Sequence, residues 1–485
     1  EMPPTEQPRS GAGLVVADLN GDHRLDVFLP NLSACMLFLG QPDSTLADES
    51  DRLPLPSDNC NGWGASAADY DQDGDLDLYV AVDALGDRLL QNDGTAHFTD
   101  VTAASGIAQP PCGSRSASWG DMDGDGDLDL FVARHRVVEL DADPCDGDTI
   151  PPTGNPNSLY ENLGGTRFVD RSERLSGPTL LGHSFIGAWH DADGDNDQDI
   201  YVVNDFGSWD HPSNLYLNDG DGNFTALPAT DGLELSVCGM GVGIADVNED
   251  QHPDYVVSNI GRLHLMLSTG AGSWYDAASA RGLVPDTSRS QYASWGVELV
   301  DINNDGRVDV VAPFGPTEDR IAAGDSDGRR QPDAIFLQDA DGDFTDVALD
   351  WGVADTAQGR GQVIADFNGD GWLDIFRRDF REGPTKLWRA RCGAESWVSI
   401  KLQGHAQGYG ARVEIDIGDR TLTRWHGPTS TGLGSSGPAT VHFGLGEHDH
   451  IDALRVYWAD GGESRHRDIT ARQHLIVRQL SDTGG

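Results

Sequence analysis

Short apolar runs alternate with acidic turns along almost the whole chain, and one unit recurs seven times. Each unit opens on a Gly-rich run such as GWGASAADYD, SASWGDMD, MGVGIADVN or GQVIADFN. A nine-residue acidic stretch follows, and then a β-branched or aromatic run: LDVFLP, LDLYVAV, LDLFVAR, QDIYVVN, PDYVVSN, VDVVAPF or LDIFRR. A third apolar run (NSLYENLGG, SNLYLNDGDG, DAIFLQDADG) and a fourth (HFTDVT, RFVDRS, DFTDVA) complete it. Runs of this length, bounded by Gly, Asn and Asp, read as strands, and helical periodicity is essentially missing. Four strands per unit, repeated at spacings of about 51 to 70 residues, predict a seven-bladed β-propeller. The repeat stops near residue 390. Residues 392–485 alternate as WVSIKLQG, ARVEIDI, RTLTRWHG, TVHFGLG, IDALRVYWAD and HLIVRQL, which predicts a small β-sandwich or barrel. The expected fold is all-β, with a propeller over 1–391 and a second unit over 392–485.

The acidic stretches carry the first chemistry. Oxygen-bearing side chains recur at loop positions 1, 3, 5 and 9, with the position-7 carbonyl available between them. The sets are Asp18, Asn20, Asp22, Arg24 and Asp26; Asp69, Asp71, Asp73, Asp75 and Asp77; Asp121, Asp123, Asp125, Asp127 and Asp129; and Asp191, Asp193, Asp195, Asp197 and Asp199. They continue as Asp246, Asn248, Asp250, His252 and Asp254; Asp301, Asn303, Asp305, Arg307 and Asp309; and Asp366, Asn368, Asp370, Trp372 and Asp374. Alternate residues of a short loop turn inward, so this spacing wraps a hard cation of the calcium type. Up to seven calcium ions are expected, mainly structural. An EF-hand is excluded, because position 12 is Val80 or Val132 inside a strand rather than a bidentate Glu. The loops at 69 and 121, with Gly74 and Gly126 at position 6, are the strongest. His23 and Gln251 at that position, and Pro253 at position 8, mark the loops at 18 and 246 as weaker. Asp325 to Asp333 resembles a further loop but puts Arg329 at an acidic position, so it reads as an insertion in the sixth unit.

Charge and cysteines narrow the setting. The formal net charge is −47, and seven dications would still leave the chain strongly acidic, which disfavours nucleic acid and anionic membrane as partners. No apolar run reaches the ~18 residues of a spanning helix, and the opening EMPPTEQPRSG reads as a trimmed mature start. Six cysteines without zinc spacing, together with calcium loops, favour a secreted or extracytoplasmic setting, in the periplasm or at the cell surface. Spacing leaves the pairing open, with Cys35–Cys60 and Cys112–Cys145 as the sequence neighbours.

The loop-strand units resemble FG-GAP/VCBS repeats, the calcium-loop blades also found in integrin α-subunit propellers. The C-terminal part resembles the ASPIC/UnbV domain through Gly408-Tyr-Gly-Ala-Arg-Val413, Val441-His-Phe-Gly-Leu-Gly446 and Ile451-Asp-Ala-Leu-Arg-Val-Tyr-Trp-Ala-Asp-Gly461. Ala459 stands where that family usually has Pro. The combination is similar to the cartilage acidic protein family and its bacterial relatives. The resemblance implies calcium and fold, and says little of activity.

By the same resemblance the acidic loops lie on one face, called lower here, and any ligand site lies opposite. Six residues before each loop stand Ala12, Trp63, Arg115, Phe185, Met240, Trp295 and Arg360. They either line the mouth of the central channel or pack between blades. The loops after the second strands add Arg134, His135 and Arg136; Asp205, Trp209, Asp210 and His211; and Arg377, Arg378, Asp379 and Arg381. Arg115, His135, Asp205, His211 and Arg360 are the candidate catalytic residues, and Trp63, Trp209, Trp295 and Arg134 the candidate ligand contacts. Gathered on one face, such groups do acid–base work or bind a carboxylate. No G-x-S-x-G elbow, HExxH or phosphate loop accompanies them. His448 and His450 read as an exposed loop. The sequence therefore points to a monomeric propeller that binds a protein, glycan or small molecule, with a propeller lyase, hydrolase or cyclase as the alternative. A deep cavity holding these residues favours the enzyme, and a plugged face favours binding.

Overall fold

The computed structural model describes residues 13–479 except 32, 57–59, 83–85, 108–112, 136–155, 178–180, 284–291, 318–330, 381–384, 392 and 428–433. Ala12, Arg136, Arg381, Cys112, Cys145 and most of the 325–333 insertion lie outside the described residues.

Among the described residues, seven antiparallel sheets follow one another between residues 15 and 388, one per acidic loop. The first is Val15–Ala17, Asp26–Leu29, Met36–Gly40 and Leu46–Asp48. The second is Gly62–Ala68, Asp77–Val82, Arg88–Asn92 and Phe98–Asp100. Apart from one short strand added at the outer edge of the fourth sheet, strand order across these sheets is chain order, and the acidic loop joins the innermost strand to the next. Register is equally constant. The residue before each loop pairs with its position-9 Asp, as in Ala17 with Asp26, Ala68 with Asp77, Gly120 with Asp129 and Ala365 with Asp374. Second strands such as Asp77–Val82 and Asp129–Arg134 are buried throughout, because each sheet is covered on both faces by its neighbours. That accounts for their unbroken apolar runs.

The sheets close a ring. Separate apolar clusters fill the seams between successive sheets, from the first and second to the sixth and seventh. A further cluster joins Leu14, Val16 and Val27 of the first sheet to Val363, Ala365 and Phe376 of the seventh. Buried Arg378 bolts that closing seam by donating to Gly13 O (2.5 Å) and Pro30 O (2.7 Å) and bonding Asn31.

Four strands in every unit does not hold. The fourth sheet gains a short parallel strand, Leu175–Ser176. The seventh, Gly359–Ala365, Asp374–Asp379 and Lys386–Trp388, stops at three. After Trp388 the chain runs on to Ser396–Gln403 in the C-terminal unit, and no fourth strand of this sheet stands among the described residues.

The C-terminal unit is a sandwich of two sheets. One holds Ser396–Gln403, Val441–Gly446 and Gln473–Arg478; the other holds Arg412–Ile417, Arg420–Trp425, His450–Tyr457 and Glu463–Thr470. Val398, Ile400, Val413, Ile415, Leu454 and Trp458 fill its core. It covers the acidic-loop face of the ring. Gln407 donates to Asp69 O (3.1 Å), Gly446 N donates to Asn304 O (2.8 Å), and His442 Nε2 lies 2.7 Å from Asn304 Oδ1. Arg420 spans Glu249 and Gly306 O (2.9 Å). From this cover, residues 434–436 reach into the channel. Val16 N donates to Ser436 O (2.9 Å), Ser436 N to Leu14 O (2.8 Å) and Ala65 N to Gly434 O (3.0 Å), so the segment pairs in parallel beside Val15 on the innermost strand.

Candidate metal loops and the opposite face

One backbone shape explains the acidic loops. Position 6 has a positive φ in all seven: Gly74, Gly126, Gly306 and Gly371, and equally His23 (67°), Asn196 (78°) and Gln251 (68°). Position 4 is left-handed too, at Gly21, Gln72, Gly124, Gly194, Glu249, Asn304 and Gly369. This double reversal turns successive N–H groups inward. The position-6 N–H donates to the position-1 carboxylate, as in Gly74 to Asp69 (3.0 Å) and Gln251 to Asp246 (3.0 Å). The position-7 N–H donates to position 5, as in Asp75 to Asp73 (3.1 Å) and Trp372 to Asp370 (2.9 Å).

Position 9 has a second task. One of its oxygens accepts the N–H of position 2 and the other an N–H at the end of the third strand: Leu19 (2.9 Å) and Gly40 (2.8 Å) for Asp26, Met122 (2.7 Å) and Asn162 (2.7 Å) for Asp129. These Asp residues therefore pin loop to sheet, and they are almost wholly buried.

In three loops the carboxylates converge. Oxygens of Asp69, Asp71 and Asp77, of Asp121, Asp123 and Asp129, and of Asp191, Asp193 and Asp199 lie within 4.8 Å of one another in each group. Asp69 Oδ1, Asp71 Oδ1, Asp77 Oδ2, Asp121 Oδ1 and Asp123 Oδ1 are buried without a hydrogen-bond partner. Burial, aided by neighbouring carboxylates, raises Asp69 and Asp121 to about 6 and Asp77 and Asp199 to about 8. Buried, crowded, partnerless carboxylate oxygens are an unfavourable arrangement that a hard cation relieves, so the residues present fit such an ion.

The other loops carry less charge. Asn replaces Asp at position 3 in Asn20, Asn248, Asn303 and Asn368. At position 7 the Arg24 and Arg307 side chains turn their guanidinium onto Asp22 and onto Asp305 (2.6 Å for the latter). Buried Arg424 of the C-terminal unit adds positive charge near Asp246 and Asp301.

Many of the other candidate residues gather at the opposite end of the strands. Phe185, Met240 and Ala293 form one cluster with Trp63, Ile260 and Trp295. Side chains from four blades meet there, so the channel is closed at that level. Arg115 lies over Trp63 at 4.2 Å and Arg360 over Trp295 at 3.7 Å. Both arginines are buried (3% and 2% exposed), and Arg360 donates to Gly359 O (2.9 Å) and Pro316 O (2.8 Å). They brace the plug and do not reach for solvent.

Beside it, His135 Nε2 stands 3.4 Å from Asp205 Oδ2 and its ring stacks 4.5 Å from Phe185. His183 Nε2 lies 3.7 Å from Asp210 Oδ2, whose other oxygen is 2.7 Å from His211 Nδ1. The two rings of His135 and His183 are 4.9 Å apart, with Phe206 against both. Burial pushes Asp205 up to about 7 against the opposing pull of the Phe206 N–H and the charge of His183. His183 and Phe206 join the cluster from outside the candidate set of the sequence. His183 lies two residues before Phe185 on the same strand, but an irregularity between Ser184 and Ile186 interrupts the alternation there, so strand spacing alone does not place His183 in the cluster.

Three expectations fall elsewhere. Arg134 is packed inward and bonds Pro156 O (3.4 Å) and, through its N–H, Asn157 (2.9 Å). Trp209 is half-buried on a turn held by its N–H to Phe206 O (2.9 Å). Arg377 is locked among Asp333, Asp355 (2.6 Å) and Asp379 (2.5 Å) at the seam of the last two blades.

The class is thus a β-propeller of acidic-loop blades whose loop face is covered by a C-terminal β-sandwich. Residues 18–80, 69–132, 191–257 and 246–312 match the FG-GAP-like repeat, and residues 401–483 match ASPIC and UnbV. The chain belongs to the family that joins FG-GAP-like repeats to an ASPIC/UnbV domain. It is 25% identical to human cartilage acidic protein 1 over 435 residues, covering 83% of this chain and 60% of that protein. The mouse protein of the same name is 25% identical over 429 residues, with 83% and 62% covered. The chain thus spans about three-fifths of the length of these relatives. Among solved structures, a GH74 xyloglucanase from Xanthomonas campestris has a TM-score of 0.46 at 12% identity, covering 97% of this chain and 76% of that one. Virginiamycin B lyase from Staphylococcus aureus has a TM-score of 0.45 at 11% identity, with 80% and 97% covered. Likeness at this level says nothing of function. The Cys35–Cys60 disulfide is formed, and Cys238 is also disulfide-bonded. No helix among the described residues is long and apolar enough to cross a membrane.

Proposed function

We propose that the chain is an extracytoplasmic, calcium-stabilised binding propeller whose ligand, a glycan, protein or small molecule, docks on the face opposite the calcium loops. The observation that carries the calcium part is the set of buried, partnerless oxygens on Asp69, Asp71, Asp77, Asp121 and Asp123. The side chains at positions 1, 3, 5 and 9 and the carbonyl at position 7 of the loops would hold the ions. Bound calcium supplies positive charge that lets those carboxylates stay ionised when packed together. The disulfides support an oxidising compartment. Binding is favoured over turnover because the channel mouth is filled by Trp63, Phe185, Met240 and Trp295. One observation favours the enzyme reading: His135 beside an Asp205 held near neutrality is a pair suited to proton transfer.

Melting the protein in calcium and in excess chelator tests the structural part. A sharp fall in Tm without calcium is expected, and an unchanged Tm refutes it. A glycan and metabolite binding screen with wild type, His135→Ala and Asp205→Asn tests the face. A ligand bound by wild type and lost by both variants supports it, whereas equal binding by all three removes it. Chemical conversion of the bound ligand, abolished in both variants, would favour the enzyme.

A further inference from the structure

Among the described residues the seventh blade lacks the outer strand that the other six possess, and its open edge has a defined chemistry. In five blades the outer strand begins with an aromatic residue: Phe98–Asp100, Phe168–Asp170, Phe224–Ala226, Trp274–Asp276 and Phe344–Asp346. Four of the five end in Asp. The aromatic ring is buried each time (7% exposed or less). It packs in the seam to the preceding blade, together with position 2 of that blade's acidic loop: Phe98 with Leu19, Phe168 with Tyr70 (5.7 Å), Phe224 with Met122, Trp274 with Ala192 and Phe344 with Val247. The corresponding residue for the seventh blade is Ile302.

Ile302 lines a cavity of about 510 Å³ in the seam of the sixth and seventh blades, with Leu373, Ile375, Trp372, Trp388 and Trp351 around it. Beside this cavity the edge strand Lys386–Trp388 is paired on one side only among the described residues. All three of its residues are half-exposed, whereas third strands elsewhere are mostly buried. At the rim Trp351 is 45% and Leu349 81% exposed.

Charge specifies the occupant further. Lys386 holds the register place of Arg88 and His264, each opposite the third residue past the position-9 Asp. Arg88 lies 3.6 Å from the outer-strand Asp100, and His264 lies 2.9 Å from Asp276. Here Lys386 turns to Asp355 instead, and exposed Arg389 and Arg391 flank the same edge.

We propose that this open edge is a docking site for an extended segment of another protein, an acidic strand carrying an aromatic residue two places before an Asp. The segment adds antiparallel to Lys386–Trp388, its aromatic ring enters the socket over Ile302, and its carboxylate meets the cations at the edge. Main-chain hydrogen bonds give the affinity and the socket gives the selectivity. The site lies on the rim of the ring and is separate from the proposed upper-face site.

The test uses the full chain, with calcium present, and a fluorescein-labelled peptide of the sequence Asp339 to Val347, the sixth blade's own outer strand. Saturable binding is expected in fluorescence anisotropy. It should weaken at least tenfold when the peptide carries Phe344→Ala, and at least tenfold in a protein carrying Trp351→Ala. Trp351 is half-exposed, so folding should survive, and an unchanged circular dichroism spectrum checks that. Three results overturn the proposal: no saturable binding, equal binding of the alanine peptide, or binding that appears only after residues 1–12 are deleted, which would mean the chain fills its own socket. A dimer in solution that the peptide does not disperse would assign the edge to a second copy and overturn it as well.

Discussion

Gln251 shows how much the backbone of an acidic loop asks of a single residue. It holds φ at 68°, a left-handed value that costs a non-glycine residue about 1 kcal/mol or more. The six sister loops hold the same conformation, so the shape is imposed by the inward hydrogen bonds and the side chain is tolerated. Gln251→Gly is therefore expected to raise stability by about 1 kcal/mol in urea denaturation; a destabilised variant would show that the glutamine side chain contributes something unseen. Asp205 is governed by burial instead. Its folded pKa lies at about 7 against an ordinary 3.8. Between those values the unfolded chain has released a proton that the folded chain retains, so its contribution is present below 3.8, declines as pH rises, and is lost above 7. Asp205→Asn removes that slope. The variant should gain on the order of 1–3 kcal/mol relative to wild type on going from pH 4 to pH 8, and an equal difference at both pH values would place Asp205 in a solvated setting.

At the level of one blade, the acidic loop and its third strand form a single device. The position-9 Asp ties both together, which explains why the loop spacing of the sequence also fixed strand register. The loops are unequal, however. Those at 69, 121 and 191 bring three carboxylates together without a cation of their own, whereas Arg24 and Arg307 turn inward onto Asp22 and Asp305. Calcium removal is thus expected to weigh most on the second, third and fourth blades. Asp71→Asn, which removes one crowded charge, should narrow the gap between calcium-loaded and chelated Tm by more than Asp22→Asn does. The reverse order in a calorimetric comparison would contradict this ranking. Glycine stands at position 4 in four of the seven loops and at position 6 in four, but at both positions together only at Gly124 and Gly126 and at Gly369 and Gly371, so no fixed glycine pair marks the double reversal in the sequence.

Taken whole, the molecule is two units held as one. The C-terminal sandwich sits on the acidic loops and inserts Gly434 to Ser436 against the innermost strands. Gly434 and Gly64 are in backbone contact: a Cβ on Gly434 would meet Gly64 Cα at 2.6 Å and Arg115 O at 2.7 Å. Gly434→Ala should cost about 1–3 kcal/mol and lower the Tm of the whole chain in one transition; a separate melt of the C-terminal unit alone would show that the insertion does not couple the two. The sequence by itself determined the seven blades, the metal-type loops and their place between first and second strands, because those follow from local periodicity and ligand spacing. It left the cysteine pairing open, and the structure supplied the Cys35–Cys60 bond between two sequence neighbours. Only the tertiary structure decided that the seventh blade has three strands among the described residues, that the loop face is covered and the channel entered from below, and that Arg115 and Arg360 brace a plug while His135, His183, Asp205 and Asp210 meet beside it. The physical reason is range. A loop that wraps an ion writes its own spacing into nine residues, whereas a seam, a plug or a histidine–aspartate cluster is assembled from strands many residues apart, and no local pattern records which of them meet.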